Sequence, residues 1–131
     1  MDRVFLDANE LFSAAWRPGA GLLRLWSLSE VTLLISGYAV EEARRNLALH
    51  RPARLEALEE LLASVEIVSQ PAAPLDLPEA GKLPAKDRPI LEAAVLARAT
   101  HLLTGDVRDF GPLMGSRVAG VLVLLPRDYL V

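Results

Sequence analysis

Two aspartates follow short apolar segments that are typical of buried β-strands. Asp7 comes directly after Val4-Phe5-Leu6, and Asp106 follows Leu102-Leu103-Thr104 and a glycine. In parallel α/β sheets, ligands bind beyond the carboxyl ends of the strands, so the two carboxylates are expected to lie close together. Taken singly, Asp7 could be a helix N-cap and Asp106 a turn residue. Their matching positions at two strand ends favour a shared site for a divalent metal ion.

Asp87 is a third candidate carboxylate, and it has a competing structural role. It stands before Arg88-Pro89 at the start of an apolar helical segment. Aspartate is favoured at a helix N-cap and proline in the first helical turn, so residue chemistry alone favours capping. The two roles are compatible, because the N-terminus of that helix is expected at the same edge of the sheet as the strand ends.

Glu41 and Glu42 compete for a fourth position in the site. With an advance of about 100° per residue, Glu42 lies nearer than Glu41 to the apolar face of the predicted helix, which consists of Ala39, Val40, Ala43 and Leu47. Glu42 is therefore the better candidate for an inward-facing ligand. A solvated helix face is the alternative, because two arginines follow at positions 44 and 45.

Three further polar residues lie beside the strand-end aspartates. Asp109 is three residues beyond Asp106, and Thr104 would place a hydroxyl next to the same aspartate. Asn9 is two residues beyond Asp7. Each of the three could equally be an ordinary loop or strand-end residue.

The composition restricts the kind of metal site. The chain has no cysteine and only two histidines, which excludes disulfides, thiolate zinc sites and cysteine nucleophiles and argues against a histidine-rich centre. A metal ion must then be held mainly by oxygen, which favours Mg²⁺ or Mn²⁺.

The net charge of −3 does not exclude a nucleic-acid substrate. The chain has 17 Asp and Glu against 14 Lys and Arg. Once the five candidate carboxylates are set apart, the basic residues outnumber the remaining acidic ones. Bound divalent ions would be the largest local charges, so the site need not repel a phosphate backbone.

The elements that must position these residues alternate between strands and helices. Apolar runs predict strands at residues 4–6, 31–35, 65–68, 102–104 and 121–124, and helical patterns cover residues 9–16, 22–28, 38–49, 53–63 and 90–99. Residues 70–84 contain four prolines and predict a loop with one helical turn near 77–80. This order predicts a parallel sheet covered on both faces, in a single domain spanning residues 1–131.

Neither end of the chain suggests membrane insertion or export. No run approaches the roughly 18 apolar residues that cross a bilayer, and the N-terminus leads into a strand rather than a signal peptide. A cytoplasmic protein is expected.

In the order and spacing of its motifs, the chain resembles a PIN domain. Four segments carry the resemblance: Val4-Phe5-Leu6-Asp7-Ala8-Asn9, Glu42-Ala43-Arg44-Arg45-Asn46-Leu47, Asp87 with Ile90-Leu91-Glu92-Ala93-Ala94, and Leu103-Thr104-Gly105-Asp106 with Asp109-Phe110. Each segment is common by itself, and the specificity comes from their order along essentially the whole chain.

The resemblance implies a three-layer α/β/α sandwich and a ribonuclease that depends on Mg²⁺ or Mn²⁺. By position, the family's acidic quartet corresponds to Asp7, Glu42, Asp87 and Asp106. Asp109 corresponds to an additional acid and metal ligand, and Asn9 and Thr104 to polar helper residues. Four arginines flank these positions and are candidates for phosphate contacts, although an ordinary surface role is favoured for each one taken singly: Arg44, Arg45, Arg88 and Arg108. The Glu41-Glu42 doublet leaves the register of the second acid open.

The resemblance also implies a reaction and partners. A divalent ion would neutralise the clustered carboxylates and activate water for in-line attack on RNA, leaving 5′-phosphate and 3′-hydroxyl ends. Compact bacterial and archaeal members are often VapC-like toxins held inactive by a cognate antitoxin. A homodimer and an antitoxin that covers the acidic cleft are therefore expected.

Two other classes of function remain open. A haloacid-dehalogenase-type phosphatase would use a strand-end aspartate as nucleophile, but it requires a second aspartate where this chain has Asn9. A non-catalytic module would use the fold only to bind protein or RNA, which the intact set of acids argues against.

Overall fold

A six-stranded sheet forms the centre of the protein, whose computed structural model describes all residues from 1 to 131. The strands are β1 (Asp2–Leu6), β2 (Val31–Ser36), β3 (Val65–Val68), β4 (His101–Leu103), β5 (Arg117–Val118) and β6 (Val121–Leu124). They are arranged in the order β3-β2-β1-β4-β6-β5. All neighbouring pairs are parallel except β5 and β6.

Six α-helices connect the strands and cover the sheet. They are α1 (Ala8–Trp16), α2 (Gly37–His50), α3 (Leu55–Leu62), α4 (Arg88–Leu96), α5 (Val107–Phe110) and α6 (Pro126–Tyr129). Short 3₁₀ segments lie at Gly21–Ser27, Pro52–Arg54, Pro78–Lys82 and Gly111–Leu113. The predicted α/β/α architecture around a mainly parallel sheet is confirmed. No helix combines the length and the apolar character that a bilayer crossing requires.

Alternating side chains of the central strands enter two different layers of the core, as the two-residue period of a strand requires. Phe5 and Leu102 pack on one face with Leu91 of α4. On the other face, Leu6 and Leu103 pack with Leu25 of the first 3₁₀ segment. These six leucine and phenylalanine side chains are at most 1% exposed. Burial on both faces explains why the strands are continuous apolar runs.

The edge strand β5 was not predicted from the sequence. It pairs antiparallel with β6 through Arg117↔Leu122 and Val118↔Val121, so only two residues form the turn. Ala119 and Gly120 have φ angles of 48° and 89°. Two successive positive φ angles are the geometry of a type I′ hairpin turn. This turn is difficult to predict from the sequence because its first position is alanine, whereas Asn, Asp or Gly is usual there.

Several predicted element ends need correction. The helix predicted at 90–99 ends at Leu96, because Arg98 adopts a φ of 57° that an α-helix cannot continue through. The helix predicted at 22–28 is a 3₁₀ segment. Pro126, predicted to end the last strand, also opens α6, as proline at the first helical position can.

Candidate metal centre

A cleft of about 480 Å³ lies at the carboxyl ends of β1 and β4, beside the N-termini of α2 and α4. Its wall contains four carboxylates: Asp7 directly after β1, Asp106 in the loop after β4, Glu42 in α2 and Asp87 directly before α4. The remaining lining residues are of two kinds. Asn9, Ser36, Tyr38, Gln70 and Lys86 carry polar groups, and Ala8, Ala39, Pro89 and Ile90 are apolar. The fold therefore brings the four acids of the predicted quartet into one cavity.

Thr104 joins the two strand-end aspartates. Its hydroxyl donates to Asp7 Oδ2 at 3.0 Å and accepts from the Asp106 backbone N–H at 3.1 Å. The other oxygen of Asp7 accepts from Ala8 N at 2.7 Å, at the start of α1. Asp7 is thus a helix-start residue and a cleft residue together. Its orientation is set by contacts to two different elements.

Burial raises the pKa of Asp7 above its ordinary value, and the charges of Glu42 and Asp106 raise it further. The hydrogen bonds from Thr104 and Ala8 act in the opposite direction, but burial outweighs them. Without a cation, the ionised form of this carboxylate is therefore destabilised.

Asp106, Asp109 and Asp87 form the tightest group of carboxylates. Each offers one oxygen, and these oxygens all lie within 4.8 Å of one another. Asp106 Oδ1 accepts from Asp109 N at 3.0 Å across the first turn of α5. Lys86 Nζ lies 3.2 Å from Asp109 Oδ2 and lowers the pKa of that carboxyl. Lys86 is the one cation that lines the cleft.

The expectation that Asp87 caps its helix through its side chain is wrong. Asp87 occupies the residue before α4, but its carboxylate makes no capping hydrogen bond. Instead, Oδ2 is buried and has no hydrogen-bond partner. Burial, followed by the interaction with Asp109, raises the pKa of Asp87 to about 6. A buried polar atom without a hydrogen-bond partner destabilises the folded state. The unpaired Oδ2 of Asp87 is therefore available to a ligand in the cleft.

The structure separates the two neighbouring glutamates of α2. Glu42 lines the cleft, whereas Glu41 points away and pairs with Arg44 at 2.6 Å. Arg44 also pairs with Glu59 of α3 at 2.7 Å. Glu41 is therefore engaged in a surface ion-pair network, and Glu42 is the acid of the doublet that is available to a ligand.

None of the four arginines expected to contact phosphates lines the cleft. Arg44 is held by Glu41 and Glu59, and Arg45 lies beside it in the same shallow groove. Arg88 Nε donates to the carbonyls of the 3₁₀ segment before α4. Arg108 is exposed on α5. Of the polar helper residues, Asn9 is exposed in the cleft wall and Thr104 is fully buried beneath it.

Glu10 is a buried carboxyl beside the site that sequence reasoning missed. Its Oε1 accepts from Gly105 N at 2.6 Å, and its Oε2 has no partner. Burial and the charge of Asp7 raise its pKa to about 8. The Asp7-x-x-Glu10 spacing is a signal that was available, because it matches a capping box. In a capping box the Asp7 backbone N–H would donate to the Glu10 side chain, but here it donates to Leu103 O. Glu10 accepts instead from Gly105 N, in the loop after β4.

The residues present fit a divalent cation with oxygen ligands. Three carboxylate oxygens within 4.8 Å of one another repel when ionised, and the unpartnered Asp87 Oδ2 needs a positive partner. The donor set has no sulfur and no imidazole, which suits Mg²⁺ or Mn²⁺. Asp87, Asp106 and Asp109 would hold such an ion. Asp7 is linked to this group because the Thr104 hydroxyl hydrogen-bonds to both Asp7 and Asp106.

Comparison with known proteins gives one family match and several solved structures with the same fold. Residues 3–108 match the PIN domain family, so the match spans all four cleft carboxylates. Two of these structures show the shared fold. One is the crystal structure of VapBC2 from Rickettsia felis bound to a DNA fragment from their promoter, with a TM-score of 0.66, 18% identity, and coverage of 92% of this chain and 96% of that one.

The other is FitAcB from Neisseria gonorrhoeae, with a TM-score of 0.56, 22% identity, and coverage of 95% of this chain and 98% of that one. At these identities the similarity concerns the fold. No curated protein is significantly similar in sequence.

Proposed function

Because the chain belongs to the PIN domain family, we propose that it is a ribonuclease that depends on Mg²⁺ or Mn²⁺ and acts as the toxin of a toxin–antitoxin pair. The observation that carries the proposal is the convergence of Asp87, Asp106 and Asp109 on one point of the cleft, next to Asp7. The whole chain, residues 1–131, would act as one PIN-like domain in the cytoplasm.

The carboxylates have different parts in this proposal. Asp87, Asp106 and Asp109 hold the metal ion, and Asp7 completes the site from the neighbouring strand. Thr104 keeps Asp7 and Asp106 in register, since its hydroxyl contacts both residues. When bound, the ion supplies Lewis-acid activation of a water molecule and stabilises the charge that develops on the phosphodiester.

Glu42 and Lys86 also line the cleft. Glu42 projects from α2 toward Asp7, whose pKa its charge raises, so it is placed to accept a hydrogen bond from a water molecule in the cleft. Lys86 pairs with Asp109 and offsets part of the negative charge that an approaching phosphate would meet.

An antitoxin partner and a homodimer are the less direct part of the proposal. The antitoxin is supported by the shared fold with VapBC2 and FitAcB, and the homodimer is carried over from the family resemblance. An antitoxin segment that covers the cleft would keep RNA from the carboxylates. Expression of the chain alone should then arrest bacterial growth, and co-expression of a small protein encoded next to it should restore growth.

The nuclease activity can be tested with purified protein and labelled RNA. We expect cleavage with Mg²⁺ or Mn²⁺, no cleavage in excess chelator, and loss of at least a hundredfold in kcat for Asp7→Asn and Asp106→Asn. Asp128→Asn is the matched control, because Asp128 is an exposed carboxylate on α6 outside the cleft. Cleavage that is insensitive to chelator or to both cleft substitutions would refute the proposal.

Two outcomes would point to the other classes of function. Failure of calorimetric titration to detect Mn²⁺ binding would favour a non-catalytic binding module. A phosphoaspartate trapped on Asp7 would instead favour a phosphatase, despite Asn9 at the position where that chemistry uses an aspartate.

A further inference from the structure

Tyr38 is an exposed aromatic residue in the wall of the acidic cleft. It is the second residue of α2, its side chain is 66% exposed, and it lines the same cavity as Asp7 and Glu42. Its ring stacks on no other aromatic side chain of the protein. The ring therefore adds nothing to the core, and it presents an open face to whatever enters the cleft.

The same cavity offers groups that complement a planar ligand. Gln70, in the loop after β3, is half-buried and lines the cleft together with Pro89 and Ile90 at the start of α4. Its amide makes no hydrogen bond within the protein, so a donor and an acceptor are available there. The cleft thus combines carboxylates, an aromatic face, an apolar edge and the Gln70 amide, in addition to the amide of Asn9 beside Asp7.

A nucleotide of the substrate matches this combination of groups. Its phosphate belongs at the carboxylates and their cation, and only one sugar separates a phosphate from a base. A base whose phosphate lies at the carboxylates is therefore close enough to contact the other side chains that line the cleft. Every base has a flat π face that stacks on tyrosine and an edge that an amide can read with one donor and one acceptor.

We propose that Tyr38 is the base-stacking residue of a nucleobase subsite in this cleft, with the Gln70 amide as the polar group that meets the edge of the base. This inference rests on the proposed ribonuclease function. The base next to the scissile phosphate must be unstacked to lie on Tyr38, so the subsite selects RNA whose bases are unpaired at the cut.

Steady-state cleavage of a single-stranded RNA oligonucleotide tests the stacking role. Replacing Tyr38 with alanine removes the ring and should raise KM by roughly tenfold, the usual effect of losing one base–aromatic stack. Y38F and Y38W keep a stacking face and should retain a KM near that of the unmodified protein. Because Tyr38 is exposed, Y38A should unfold at the same temperature as the unmodified protein.

L49A is the matched control. Leu49 is also in α2 and is 74% exposed, but it lies at the other end of the helix, outside the cleft. Its replacement should leave KM unchanged. An equal rise in KM for L49A and Y38A would overturn the subsite, and so would a Y38A variant that loses kcat and Mn²⁺ affinity at constant KM.

A series of oligonucleotides, each with one abasic ribose near the cut, identifies the stacked base. The unmodified protein should lose affinity at one position, and Y38A should show no further loss there. Q70A should reduce the preference among the four bases at that same position. If Y38A and the unmodified protein respond alike at every position, no base lies on Tyr38.

The outcomes separate the subsite from the activity on which it rests. If the unmodified protein cuts no RNA with any divalent ion, the proposed function fails. If it cuts RNA and Y38A cuts with the same KM, the function stands and the subsite is wrong. Weaker binding of a protein partner by Y38A, with unchanged cleavage, would also reject the subsite and assign Tyr38 to a protein contact.

Discussion

Thr104 shows how a neutral side chain determines the geometry of an acidic site. Its hydroxyl contacts Asp7 Oδ2 and the backbone of Asp106, and the residue is fully buried. Pairing of β1 with β4 sets where the two segments lie, and the Thr104 hydroxyl then fixes the Asp7 carboxylate relative to the backbone of Asp106. The hydroxyl is therefore the shared support of both candidate ligands.

Replacement of Thr104 by valine should weaken the metal site without unfolding the protein. Valine has a similar shape but leaves Asp7 Oδ2 and the Asp106 N–H without their partner. Loss of a hydrogen bond that orients a ligand typically lowers metal affinity or activity by about 10- to 100-fold. T104S keeps the hydroxyl and is the control. Calorimetric titration with Mn²⁺ measures the effect, and equal affinities for T104V and T104S would contradict it.

Glu10 is the second residue whose chemistry depends on burial. Its pKa is raised from 4.5 to about 8, so the folded protein keeps a proton on Glu10 in a pH range where the unfolded chain has lost it. Stability therefore decreases as the pH rises through this window. The folded state holds a protonated carboxyl against Gly105 at low pH, and a charged one at an energetic cost above pH 8.

Replacement of Glu10 by glutamine should remove this pH dependence. Glutamine keeps an oxygen that can accept from Gly105 N but cannot ionise. In chelator, the melting temperature of E10Q relative to the unmodified protein should rise by roughly a few degrees between pH 5 and pH 8. Differential scanning fluorimetry at several pH values measures the difference. A constant offset between the two proteins would show that Glu10 does not titrate in this range.

At the level of elements, the turn between β5 and β6 carries backbone strain. Ala119 has a φ of 48°, and an L-residue with a side-chain Cβ pays about 1 kcal/mol or more in this conformation. Asparagine tolerates it better and is favoured before glycine in type I′ turns. The strained alanine lies at the edge of the sheet, away from the cleft.

Ala119→Asn should therefore stabilise the protein by about 0.5–1 kcal/mol without affecting the metal site. Gly120→Ala is the opposite change, since a φ of 89° suits glycine, and it should destabilise by a similar or larger amount. Urea denaturation measures both. The idea fails if A119N is less stable than the unmodified protein.

For the whole molecule, strand order determines where the acids meet. β1 lies between β2 and β4 in the sheet, so the residues after these three strands open onto one cleft. The loop that leads to α4 brings Asp87 to the same place. Burial raises the pKa of each of the three carboxyls Asp7, Glu10 and Asp87. Because the site gathers these carboxyls in buried positions, the folded state becomes less stable when they ionise.

A divalent ion should offset this loss, and more so at higher pH. Without metal, the raised pKa values make stability decrease as the pH rises, with the contribution of Asp87 extending to about pH 6 and that of Glu10 to about pH 8. An ion binds the ionised carboxylates of the folded state and stabilises it by mass action. Saturating Mn²⁺ should therefore raise the melting temperature by several degrees at pH 8 and by little at pH 5. An equal shift at both pH values would contradict this linkage.

From the sequence alone, the alternation of apolar runs was sufficient to predict a parallel sheet with Asp7 and Asp106 at one edge, whereas Glu42 and Asp87 joined them as a quartet only through the family resemblance. These features are local, because the period of apolar residues reports which element forms and where it ends. The family resemblance is confirmed, and it rested on the same local segments in their order.

Only the tertiary structure decided which partners those residues have. The contacts from Thr104 to Asp7 and from Gly105 to Glu10 span 97 and 95 residues of sequence, and no local pattern reports them. The same holds for Arg44, whose pair with Glu59 of α3 joins residues from two helices, and for Asp87, whose carboxylate caps nothing. A shared site for Asp7 and Asp106 could be predicted from their strand-end positions, but only the packed structure decided which contacts orient the two carboxylates.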